Sequence, residues 1–158
     1  MIGETNDMKL AEALQERADL SYTIDQLNTR LLNNACVQEG EKPAEDPKEL
    51  LATLDAMIIR LRDIIARINK TNCNTIVDGL SITDLIARRD TLKLQLRSYR
   101  DLANRASQTA TRASRTEIKI LSTVDVPALQ KKVNELSKCL RETDNKIQEM
   151  NWKTDLMI

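Results

Sequence analysis

Histidine is missing altogether. The usual proton shuttle at neutral pH and the commonest metal ligand go with it. Di-iron bundles built on Glu-x-x-His pairs are thereby excluded, as are Ser-His and Cys-His nucleophile pairs. Glycine numbers only three, and neither a Gly-x-Gly-x-x-Gly turn nor a Walker loop is present. There is no phenylalanine, one tryptophan and two tyrosines, so any core has to be aliphatic. The three cysteines, Cys36, Cys73 and Cys139, are odd in number and widely spaced, which suits neither a disulfide framework nor a zinc cluster. They read as free thiols of a reducing cytosol.

Net charge is also lacking: Lys plus Arg and Asp plus Glu number 24 each. No global field gathers phosphate polymers or an anionic bilayer, and nucleic-acid binding is not expected. No stretch reaches the roughly 18 consecutive apolar residues of a membrane span, so membrane association is not expected either. The opening Met1 to Leu10 has neither a basic start nor an apolar run. No secretory leader is expected there, and the reading is a cytoplasmic protein. No cofactor, metal or catalytic residue is assigned.

What remains is abundant Leu and Ile, 30% charge and only three prolines in 158 residues, a composition for long helices. Leu10, Leu14, Arg17, Leu20, Ile24, Leu27 and Leu31 recur at steps of three and four, one face of a helix that Asn6 or Asp7 can cap and that ends near Ala35. A polar hinge follows, Asn34 to Glu49. In it Asp46 can cap, Pro47 suits the first helical position and Glu49 can close a capping box. The second helix is the most apolar: Leu51, Leu54, Ile58, Leu61, Ile65 and Ile68 form one row, and Leu50, Met57 and Ile64 widen it to face two neighbours. It is expected to end around residues 69–72.

Asp78-Gly79 signals a turn, and Ser81 or Thr83 caps a third helix on the row Leu85, Arg89, Leu92, Leu96, Tyr99, Ala103 and Ala106. From Glu117 to Val124 polar and β-branched residues alternate in a strand-like way. The last helix starts at Asp125-Val126-Pro127. Its stripe of Leu129, Val133, Leu136, Leu140, Thr143, Ile147 and Met150 is the cleanest heptad in the chain.

Four such segments joined by moderate connections predict an all-α fold, an antiparallel up-down-up-down four-helix bundle. Residues 1–7 form an N-terminal extension and residues 8–158 a single bundle domain. The hinge and the 117–124 segment then share one end, where Cys36 to Glu39 can pair with Glu117 to Leu121 as a short two-stranded β ribbon. That end gathers the candidate interaction surface: Gln38, Glu39, Glu41, Arg112, Arg115, Glu117 and Lys119. Arg17 and Arg89 interrupt apolar rows at similar heights and are candidates for a polar core layer. Local charge is uneven: residues 38–55 carry six acids against two lysines, and residues 88–119 nine basic groups against three acids. Complementary blocks of this kind steer self-association.

Val37-Gln38-Glu39-Gly40-Glu41 with Glu45-Asp46-Pro47, Arg67-Ile68-Asn69 before Thr71-Asn72, Ala87-Arg88-Arg89-Asp90, Ser114-Arg115 with Glu117-Ile118-Lys119, and Ile147-Gln148-Glu149 before Asn151-Trp152 together resemble the septicolysin-like family of small bacterial proteins. The resemblance runs from Met8 to the Asn151-Trp152 segment. It implies a helical fold and, by the family's name, a pore-forming cytolysin; it supplies no catalytic residue. Two functions are therefore in view. The first is a cytosolic, self-associating helical bundle acting as a structural or interaction module, a homo-oligomer with the hinge end as its recognition surface. The second is a membrane-damaging protein whose amphipathic helices open onto lipid. An enzyme working through the carboxylates and arginines of the hinge end is a distant third.

Overall fold

The computed structural model describes residues 8–108 and 120–158. The fold is all-α. Four long helices, α1 (Leu10–Asn33), α2 (Pro47–Asn74), α3 (Ile82–Ser107) and α4 (Val126–Lys153), are accompanied by the two-residue strands β1 (Ile76–Val77) and β2 (Leu80–Ser81). The expected extension at residues 1–7 and the expected caps Asn6 and Asp7 lie outside the described residues. The chain separates into two compact units: the described residues of Met1–Ile76 with Met150–Ile158, and those of Val77–Glu149.

The first unit is built on the antiparallel pair of α1 and α2. Partners rise along one helix as they fall along the other: Glu16 meets Arg60, Leu27 packs with Leu50 and Leu54, and Arg30 meets Glu45. Leu27, Leu50 and Leu54 form a buried cluster, with Ile24, Leu31 and Met57 packed around it. Burying side chains of this size contributes about 1.5–3 kcal/mol each. Toward the other end Leu10, Ala13, Ile64 and Ile68 are buried. The inward row of α1 passes through Ala13 rather than Leu14, which leaves Leu14 half-buried and Arg17 exposed at the edge of the stripe.

A tail seals this unit. Leu10 N–H donates to Thr154 O (2.9 Å) and Leu156 N–H to Met8 O (2.8 Å), an antiparallel bridge that pairs Lys9 with Asp155. Leu156 is buried. Thr71, fully buried, donates its hydroxyl to Arg67 O (2.8 Å) and accepts from Met157 N–H (3.0 Å). The sequence reading missed this lock; its one signal is an apolar residue, Leu156, after the polar Lys153-Thr154-Asp155.

The second unit pairs α3 with α4 in the same sense, with Leu96, Val133 and Leu136 buried together and Leu92, Tyr99 and Leu140 around them. The heptad stripe of α4 is inward as its spacing predicts, with Val133, Leu136, Thr143 and Ile147 all buried. Helix starts follow the cap chemistry. Asp46 accepts from Lys48 N–H (2.9 Å), and Asp125 accepts from Ala128 N–H (3.0 Å). Ser81, not Thr83, caps α3: its Oγ accepts from Asp84 N–H (3.0 Å) while the Asp84 carboxylate accepts from Ser81 N–H (2.9 Å). The Ser81 hydroxyl also donates to the Asp84 carboxylate (2.6 Å), and this bond, with the one from Ser81 N–H, holds Asp84 below the ordinary carboxylate range.

The ribbon is present, in a different place from the one expected. β1 and β2 pair across Asp78 and Gly79, whose φ angles of 50° and 80° are both positive, as a two-residue type I′ turn requires. Asp and Gly tolerate that conformation, so this loop fixes the register of a hairpin on its own. Cys36 to Gln38 are in no strand, and residues 117–119 lie outside the described residues.

The tail lock yields a test. Thr71→Val keeps the shape but removes the acceptor of Met157 N–H, and a buried amide left unpaired costs about 1–3 kcal/mol. Urea unfolding should show a loss of that size; an unchanged midpoint would mean that the bond from Met157 to Thr71 contributes nothing to stability.

Candidate functional site

The hinge between α1 and α2 is held at both ends and bare in the middle. Asn34, buried at the α1 terminus, donates from Nδ2 to Arg30 O (2.9 Å) and accepts from Glu45 N–H (3.0 Å). One side chain therefore closes the helix and fixes the far end of the loop. Arg30 adds a two-pronged grip on Glu45, donating from Nε to Oε2 at 3.0 Å and from Nη2 to Oε1. Those hydrogen bonds hold Glu45 below the ordinary carboxylate range and push Arg30 up, with charge attraction acting the same way and desolvation opposing it.

Inside this clamp, Ala35 to Ala44 are all exposed. Glu41 N–H donates to Gln38 O (3.0 Å), closing a turn in which Gly40 has φ of 90°. That angle at the third position is one that a side chain disfavours. Gln38, Glu39 and Glu41 thus stand on a tight turn, facing water. Arg112, Arg115, Glu117 and Lys119, the other part of the expected surface, lie outside the described residues.

The two arginines expected in a polar layer belong to different units. Arg17, in the first unit, is exposed. Arg89, in the second, keeps 27% of its side chain in water and binds its neighbour Asp90, Nε to Oδ1 at 2.9 Å.

Two of the surface depressions lie near charged side chains. One, of about 390 Å³, is lined by Ala11, Glu12, Gln15, Glu16, Asp19 and Trp152. Its acids already have partners: Glu12 accepts from Lys9 N–H (2.7 Å), Glu16 binds Arg60 (2.6 and 3.0 Å), and Asp19 accepts from Gln15 (2.9 Å). The other, of about 180 Å³ in the second unit, is lined by Leu80, Leu85, Arg88, Cys139, Glu142, Thr143 and Lys146. There Lys146 is paired with Asp78, and the Thr143 hydroxyl donates to Cys139 O (2.9 Å). Among the described residues no group of three His, Cys, Asp or Glu is arranged to hold a metal ion. None of their helices is long and apolar enough to cross a membrane.

A family model described as "Family of unknown function (DUF6847)" matches residues 17–156. Among solved structures, the crystal structure of a functionally unknown conserved protein from Corynebacterium diphtheriae is similar, with 39% sequence identity and a TM-score of 0.88. The match covers 95% of this chain and 99% of that one. No curated protein matches. These findings correct the resemblance to septicolysin-like proteins. The described stretches that carried it have structural explanations: Glu45-Asp46-Pro47 is a clamp and cap, Thr71 ties the tail, and Ala87 to Asp90 are turns of α3.

The hinge clamp has a pH signature. A folded-state pKa below the unfolded value gives stability that is present above the unfolded value and lost as pH falls through the folded one. Native protein should therefore lose unfolding free energy on acidification below about pH 4.3. Glu45→Gln should flatten that acid limb in urea titrations repeated across pH. Parallel curves for the two proteins would show that Arg30 does not stabilise the charged form of Glu45.

Proposed function

Because the chain belongs to this family of unknown function, we propose a role from its own residues: a self-associating helical protein of the cytoplasm that serves as a structural or interaction module, with the hinge as its recognition surface. The observation that carries the reading is the construction of the hinge. Exposed loops held by rigid elements are where recognition concentrates. Here Asn34 and the Arg30 to Glu45 grip fix a ten-residue loop, Ala35 to Ala44, whose side chains are all exposed. A stiff loop loses little entropy when a partner docks on it. Gln38, Glu39 and Glu41 give it an acidic, hydrogen-bonding edge. The uneven charge of the chain, acidic over residues 38–55 and basic over residues 88–119, supports like copies as partners.

Light scattering coupled to size exclusion tests the self-association. The apparent mass should rise above 17.9 kDa as loading concentration increases. A monomer at every concentration contradicts the reading.

A further inference from the structure

Resting on that self-association, we infer that a second copy of the chain docks on the solvent side of α2, antiparallel to it, about a two-fold axis at Ile58. The apolar surface of α2 is wider than the part it buries. Leu50, Leu54, Ile64 and Ile68 are buried, and along one edge of that face run Leu51, Ile58 and Ile65, which are 49%, 46% and 37% exposed. These three lie at steps of seven, and a straight helix drifts only about 20° per seven residues. They therefore form one stripe, about 21 Å long at 1.5 Å per residue. A helix with only one packed face carries polar residues at such positions.

The charges beside the stripe select its occupant. Asp55 and Arg62 sit on the same flank, three residues before Ile58 and four after it. When two copies of α2 run antiparallel about Ile58, Leu51 of each meets Ile65 of the other and Ile58 meets itself. Asp55 then falls opposite Arg62, twice. In a parallel two-fold pairing the equivalent flanks of the two copies lie on opposite sides of the seam, so Asp55 and Arg62 do not meet; only the antiparallel arrangement pairs these charges. Both groups are accessible. The Arg62 side chain is 72% exposed, bound only sideways to its neighbour Asp63 at 2.8 Å; Asp55 is exposed and has no ion-pair partner among the described residues. The same patch serves both copies, as two-fold closure demands. With so few apolar side chains per copy, the stripe covers less than a standard interface of about 1,600 Å², and association is reversible and concentration-dependent.

Charge reversal and cross-linking test this together. In sedimentation experiments Asp55→Arg and Arg62→Asp should each weaken self-association at least tenfold, and the double variant should regain it, with circular dichroism melts confirming that all three fold. In a variant whose Cys36, Cys73 and Cys139 are replaced by serine, Ile58→Cys should form a covalent dimer under mild oxidation. A native protein that associates, but does so equally in both single reversals and without the Ile58→Cys cross-link, overturns this surface while leaving self-association standing. A native protein that never associates overturns both.

Discussion

The seam between α1 and α2 is the constraint on which the first unit depends. Leu27, Leu50 and Leu54 leave water only by facing one another, and that requires the chain to reverse direction across residues 34–46. The hinge is therefore not free to be any loop. Its two ends must sit at the spacing of packed helices, and Asn34 and the Arg30 to Glu45 grip satisfy the polar groups exposed there. The same seam consumes only part of the apolar surface of α2. Leu51, Ile58 and Ile65 are left outside it, and the proposed contact between copies is a consequence of that surplus.

The far end of the unit is closed by main-chain bonds. The residues after α4 lie beside the start of α1, with Leu156 buried and Thr71 serving as donor and acceptor in the same place. Caps rather than long loops set the helix boundaries elsewhere: Asp46 for α2, Ser81 with Asp84 for α3, and Asp125 for α4. Each answers the unpaired amides of a first turn.

Helix identity and extent were legible because their causes are local. Four aliphatic rows with a period of three and four, Asp46-Pro47, Ser81 and Asp125 are all read from neighbouring residues, and the structure uses each. Two kinds of feature were not legible. Contacts at long separation, such as Met157 with Thr71 or Lys9 with Asp155, leave almost no pattern in the chain. The ribbon was expected from an alternation at residues 117–124, whereas the decisive chemistry is the Asp78-Gly79 turn, which lets two adjacent residues on each side pair without any distant partner. Arg17 shows a third limit. A step of three or four places a residue near a stripe, yet only packing decides whether the stripe's edge is wet, and at Arg17 it is. The hinge was legible as an exposed connection; its clamp, made by Asn34 across eleven residues, was not.

The central claim is that α2 uses part of its apolar surface within the chain and offers the exposed edge to a second copy running in the opposite direction. Dipolar electron spin resonance on singly spin-labelled, cysteine-free protein addresses it most directly, with the label at position 51, 58 or 65 in turn. An antiparallel two-fold contact at Ile58 requires the shortest intermolecular distance at 58, with longer and similar distances at 51 and 65. Equal distances at all three positions, or no dipolar coupling at any of them, would contradict it.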